Sequence, residues 1–337
     1  MKSFAKSAIT VVLDRLAEQT RTYVPMRDGV TSNFSPWSER RASDLALNSL
    51  NTTFSPKGIV FPQTERLYDF AVDGQRADIS GTHAETGENI LFGARACDRK
   101  AFAALDQVFL RRGYVDTNYK ARRDGLTVIG RDCLQPGPFC FCDSMGVDPM
   151  GADGADVLLH ETTEEFGWEP LTEKGQALTL RLNDLLTEKE LIRPEPAGCR
   201  LEVNVAGLPE KLRGMFDSPV WDELSTFCMN CGVCTYICPV CHCFDIQVMN
   251  NGSSGCRFRC WDSCMYPEYN LMAGGHNPRE GKRDRFRNRF LHKLEFFQER
   301  YGSFGCSGCG RCLVTCPHSL NMVLVINRLG EVKVDAS

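Results

Sequence analysis

Eight cysteines carry the clearest chemistry in this chain. Four stand at Cys228-x2-Cys231-x2-Cys234-x3-Cys238-Pro239, and four at Cys306-x2-Cys309-x2-Cys312-x3-Cys316-Pro317. Every interval is repeated, and so is the proline. Three thiolates at two-residue intervals wrap a loop around one face of an iron–sulfur cube. The fourth cysteine lies a turn further on and reaches the other cube. The spacing therefore predicts two [4Fe-4S] clusters that exchange their last ligands. Cys228, Cys231, Cys234 and Cys316 would hold one, and Cys306, Cys309, Cys312 and Cys238 the other. Proline stops the local helix after each fourth cysteine. Gly232, Gly308 and Gly310 are expected to let backbone N–H groups approach the sulfurs. Structural zinc is the alternative, but zinc takes four ligands from two separate knuckles, and a threefold run crowds one ion.

The whole chain fits this reading. It has 18 cysteines and only 6 histidines in 337 residues, so a large metal system here is built on sulfur. A secreted disulfide scaffold is disfavoured because the chain is long and 13 of the 18 cysteines fall between Cys228 and Cys316. The apolar stretch Ala8–Leu13 is too short for a leader and runs into Asp14 and Arg15, so a reducing cytoplasm is expected. A net charge of −4 argues against a nucleic-acid binder. No apolar run approaches the roughly 18 residues of a membrane span.

The elements that must position these ligands fall into two expected domains, 1–218 and 219–337. The first reads as α/β. An amphipathic helix is expected within residues 1–20, with Ile9, Val12, Leu13 and Leu16 on one face. Strands are expected at Gly58–Pro62, Leu67–Val72, Asn89–Ala96, Leu126–Gly130 and Val157–His160. A helix Lys100–Arg112, capped by Asp98, separates two of them, and such alternation suggests a mostly parallel sheet. Cys97 then ends one strand and Cys133 follows another, so both emerge at one sheet edge, with Cys140 and Cys142 close behind. These four form a candidate third [4Fe-4S] site; the alternative is a set of unrelated buried thiols.

The second domain reads as α+β, ferredoxin-like, with an inserted segment 239–305. The insert adds Cys241, Cys243, Cys256, Cys260 and Cys264, as a further cluster or as packed thiols. Arg279–Lys293 holds seven Lys/Arg, and Phe286, Phe290, Leu294 and Phe297 give it a helical apolar stripe. Three readings stand for it: a core-packing helix with a solvated face, a docking face for an acidic partner, or counter-charge for anionic clusters. The histidines (83, 160, 242, 276, 292 and 318) are scattered and read as structural or surface residues. No catalytic grouping is recognisable. There is no G-x-G-x-x-G, and Gly275 to Gly281-Lys282 is one residue too long for a phosphate loop. A nucleotide site is therefore placed on a partner.

The chain resembles a family of iron–sulfur electron-transfer subunits, typified by sulfhydrogenase beta subunits and the corresponding iron–sulfur chain of anaerobic sulfite reductase. The resemblance rests on Phe92-Gly93-Ala94-Arg95-Ala96-Cys97-Asp98, Cys140-Phe141-Cys142 and Cys238-Pro239-Val240-Cys241-His242-Cys243. It continues through Trp261-Asp262-Ser263-Cys264, Met272–Asn277 and Asp284–Arg289, blocks closer to the sulfhydrogenase branch. It implies a relay from a flavin subunit that handles NAD(P)H to a catalytic, hydrogenase-type subunit, or in the reverse direction. A sulfite reductase complex, or a subunit contributing to a substrate site, is the alternative. It also implies ligation at Cys97, Cys133, Cys140 and Cys142, and at Cys241, Cys243 and Cys264. Cys256 and Cys260 depart from its pattern, and Cys199, without a counterpart, is expected to be structural.

Overall fold

The computed structural model describes residues 1–49, 51–81, 87–111 and 113–333; His83 and Arg112 lie outside them. Twelve strands are described: β1 (Lys2–Ala5), β2 (Arg21–Asp28), β3 (Thr31–Pro36), β4 (Thr64–Asp73), β5 (Arg76–Gly81), β6 (Asn89–Ala94), β7 (Leu126–Arg131), β8 (Val157–Glu161), β9 (Glu165–Pro170), β10 (Thr187–Glu188), β11 (Phe244–Asn250) and β12 (Ser254–Trp261). The first sheet runs β10-β1-β9-β8-β7-β6-β2-β3. Only its centre, β2, β6, β7 and β8, is parallel. β6 is a continuous apolar run buried along nearly its whole length, as a strand covered on both faces must be. The edges are antiparallel, so the sheet is mixed rather than mostly parallel. The reason is local: β8 turns straight back into β9, and β2 into β3, with connections too short for a crossover helix.

Three local expectations change. The first residues form strand β1 before the helix Ile9–Ala17, which buries Val12, Leu13 and Leu16 against the sheet. The stretch Gly58–Pro62 is not a strand. Pro56–Ile59 is a tight 3-10 turn, which Pro56 can open because it needs no N–H there; Val60 and Phe61 remain buried behind it. The helix after β6 starts at Ala96, so Asp98 lies in its first turn and Arg95 at its cap, with no side-chain capping bond.

The second sheet, β11-β12-β4-β5, joins the two halves of the chain. β12 pairs with β4 from Ser254↔Ala71 to Cys260↔Thr64. Residues 64–81 and part of the insert thus share one ladder across position 218. β11 and β12 are the only described strands beyond that position. The two cysteine motifs lie on short helices, packed under a core that includes Trp221, Phe286, Phe290, Leu294 and Val325 and also Phe141 and Met145 from the first half.

Candidate metal centre

The two motif copies repeat one backbone path. Asn230 and Gly308, each two residues after the first cysteine, have φ of 55° and 64°; Gly232 and Gly310 have φ of 73° and 75°. The positive-φ turn aims an amide back at the leading sulfur. Asn230 donates to Cys228 Sγ at 3.4 Å, and Gly308 to Cys306 Sγ at 3.5 Å. Each kink opens a short helix, Val233–Tyr236 or Arg311–Thr315, which carries the third cysteine.

Cys228, Cys231, Cys234 and Cys316 line one cavity, walled by Met265, Phe286, Phe290 and Met322. Cys312 of the second run lines it as well; Cys231 is exposed and Cys228, Cys234 and Cys316 are half-buried. Cys238 lies in the electrostatic neighbourhood of Cys306, Cys309 and Cys312. Desolvation there pushes the Cys306 thiol up to about 11 and raises Cys309 and Cys312 as well. Among the described residues, no three His, Cys, Asp or Glu side chains close on one point as a single metal ion requires. All eighteen cysteines are free thiols.

The basic stretch supplies counter-charge. It forms the helix Lys282–Leu291, then one π turn, His292–Phe296. Arg285, Arg287, Arg289 and Lys293 are buried, so this is not a solvated face. Arg285 and Arg287 spend their guanidinium groups on backbone carbonyls such as those of Met265 and Phe216. Arg289 and Lys293, one helical turn apart, face sulfur. Lys293 Nζ sits 3.4 Å from Cys238 Sγ and donates to the Gly305 carbonyl at 2.8 Å. Arg289 lies among Cys234, Cys312, Cys241 and Cys264. Burial opposes both charges, but the surrounding sulfurs outweigh it and hold both groups above their ordinary range. Two more cations come from elsewhere. Lys57 donates to the Cys241 carbonyl at 2.9 Å. Arg311 is buried in a forked pair with Asp98 at 2.7 Å, beside Cys97 and Cys309.

The first-half cysteines meet the second motif. β6 and β7 are parallel, and Cys97 and Cys133 follow their carboxyl ends. Phe141 donates to the Gly308 carbonyl at 2.9 Å, and Cys140 Sγ lies 3.8 Å from the Cys309 carbonyl. A Cβ on Gly308 would stand 2.5 Å from the Cys142 Cα, so glycine is required for this approach. Cys133 lies near both Cys140 and Cys142, while Cys97 neighbours Cys142 and Cys309. A fifth thiol joins them: Cys199 Sγ is 3.6 Å from Cys142 Sγ. Sequence reasoning missed it, since it stands alone in a Pro-rich stretch with no ligand spacing around it.

In the insert, Cys241, Cys243 and Cys264 line one cavity together with His242, His292 and Lys293. Cys241 neighbours Cys238, and Cys243 neighbours Cys264 and Tyr269. Burial pulls His242 down to about 4 and His292 to about 3, so both rings are neutral. Cys256 and Cys260 are elsewhere, on β12, opposite Asp69 and Thr64 of β4.

Comparison with known proteins agrees with this geometry. Residues 227–320 match the family model described as a 4Fe-4S dicluster domain. The chain is 31% identical over 328 residues to sulfhydrogenase 2 subunit beta of Pyrococcus furiosus, covering 94% of this chain and 95% of that protein. No solved structure matches. Among the described residues, no helix is long and apolar enough to cross a membrane. With both cysteine runs inside the dicluster match and the likeness running nearly end to end, the chain belongs to the family of iron–sulfur sulfhydrogenase beta subunits.

Proposed function

We propose that this chain is a non-catalytic electron relay that links a hydrogenase-type catalytic subunit to a flavin subunit handling NAD(P)H. Bound [4Fe-4S] clusters supply reversible one-electron chemistry without making a bond to substrate. The chain's residues do the rest. Cys228, Cys231, Cys234 and Cys316 hold one cluster, and Cys306, Cys309, Cys312 and Cys238 hold a second, in the ferredoxin-like exchange. Cys97, Cys133, Cys140 and Cys142 supply a third set, with Cys199 against Cys142. Cys241, Cys243 and Cys264 supply a further one in the insert.

One observation carries this reading: the thiol groups are contiguous. Cys140 touches the backbone of Cys309, Cys238 neighbours Cys241, and Cys312 lines the cavity of the Cys228 group. Electron tunnelling falls steeply with distance, so a continuous set of ligand groups is what a relay needs. Arg289, Lys293 and Arg311 offset the negative charge of thiolates and clusters in a desolvated interior. The Cys228 group reaches the surface, where Cys231, Phe227 and Met229 are exposed and a partner can approach.

Anaerobic isolation of the native complex, with identification of the co-purifying chains, tests the assignment. Two co-purifying chains are expected, one binding flavin and one binding nickel and iron. A sirohaem chain in their place would overturn it. Iron and acid-labile sulfide counts on Cys97→Ala and Cys199→Ala test the third site; Cys97→Ala should lose one cluster's worth of iron.

A further inference from the structure

The insert cavity has one feature the relay reading leaves unexplained. It offers three thiols, Cys241, Cys243 and Cys264, where a four-iron cluster needs four ligands. The nearest further thiol, Cys238, is the remote ligand of the Cys306 group. Cys256 and Cys260 do not line the cavity and stand on β12. Tyr269 is not part of the lining. Two imidazoles remain. His242 has Nδ1 3.0 Å from the Val240 carbonyl, and its ring is packed against Phe109 and Phe297. His292 lines the same cavity, its ring edge-on to those of His242 and Phe297.

The backbone also singles out His292. It is the first residue of the π turn His292–Phe296 that interrupts an otherwise α-helical segment. Such single-turn bulges break the regular i→i−4 hydrogen bonding of the helix and are frequent at functional sites. This one follows Arg289, and its second residue is Lys293, so three cavity-lining groups come from one short stretch.

We propose that the insert holds an iron–sulfur cluster bound by Cys241, Cys243, Cys264 and an imidazole nitrogen of His292. The proposal deepens the relay reading and rests on it. Iron accepts imidazole nitrogen as well as thiolate, and replacing an anionic ligand by a neutral one raises the reduction potential. Arg289 and Lys293 in the same wall favour the reduced, more negative state further. This centre then holds an electron more tightly than the all-cysteine groups beside it, and acts as a store at the side of the relay.

The test uses full-length chain prepared anaerobically and reduced, with pulsed EPR for nitrogen directly bound to a cluster. The parent protein should show a strongly coupled ¹⁴N. His292→Cys should keep its full iron and sulfide, lose that coupling, and move one midpoint potential to a lower value. His292→Gln should lose the coupling and, if it folds with unchanged circular dichroism, up to one cluster's worth of iron. His242→Gln should leave the coupling in place. Absence of coordinated nitrogen in the parent, or its survival in His292→Cys, would overturn the proposal and leave the relay reading intact. Full iron retention in Cys264→Ala would show instead that the insert binds no cluster, which removes the proposal at its root.

Discussion

At the residue scale, a few side chains far apart in sequence set the conditions for the sulfur sites. Lys293 is the clearest, with its ammonium 3.4 Å from Cys238 Sγ in a buried setting. Removing that charge leaves the neighbouring thiolates less compensated and makes an added electron less favourable. Lys293→Met should therefore lower the midpoint potential of the Cys306-group cluster in an EPR-monitored titration, while Lys293→Arg should hold it near the parent value. Asp98 is a second such residue. Its carboxylate and Arg311 are both almost fully buried, and breaking a buried pair from one side typically costs about 3–5 kcal/mol. Asp98→Asn should lower stability by that order in denaturant unfolding. Gly308 is a third. Its φ of 64° and the 2.5 Å approach to Cys142 leave no room for a methyl group. Gly308→Ala should cost at least about 1–3 kcal/mol from backbone strain alone. It should also part the first-half thiols from the second motif, seen as lost iron.

At the scale of elements, the helix and π turn of residues 282–296 do two jobs. One side packs Phe286, Phe290 and Leu294 into the core, and another delivers Arg289, His292 and Lys293 to the sulfurs. The same turn carries Glu295, buried near Glu299, with Arg213 drawn to Glu299 at 2.5 Å. Burial, with some repulsion from Glu299, pushes the Glu295 carboxyl up to about 7 from 4.5. Between those values the folded chain keeps a proton that the unfolded chain has released. This group therefore takes stability away as pH rises through that window, and the loss is complete above about 7. Glu295→Gln should melt at a higher temperature than the parent at pH 8, and the gap should close as pH falls towards 5.

At the scale of the molecule, two regions have cores of different kinds. The eight-stranded sheet is supported by its own apolar cluster, including Phe4, Leu13, Ile90, Phe92 and Trp168. The helical region around the motifs has an apolar core too, but its thiols, Arg289 and Lys293 are buried against each other. Bound clusters there add folding free energy by linkage. Stripping iron with a chelator should therefore lower the overall melting temperature. Amide hydrogen exchange should rise first in residues 228–243 and 282–316, with the central strands β6, β7 and β8 still protected.

Much of this was legible in the chain itself, and the boundary between what was and was not follows from physics. Ligand spacing in Cys-x2-Cys-x2-Cys-x3-Cys-Pro is local geometry. The approach of the Gly308 backbone N–H to sulfur was therefore expected from the two runs, as was a buried strand at Asn89–Ala96, which the structure ends at Ala94. What the sequence could not state is which distant groups arrive at those loops. Lys57 reaches the Cys241 carbonyl across a separation of 184 residues, and Arg311 reaches Asp98 across 213. Cys199 comes to Cys142, and β12 pairs with β4 across the expected boundary at 218, without any periodic signal. Periodicity and spacing record only what a short segment does by itself. Charge compensation, the fifth thiol and the imidazole in the insert cavity depend on long-range packing, so only the folded chain decides them.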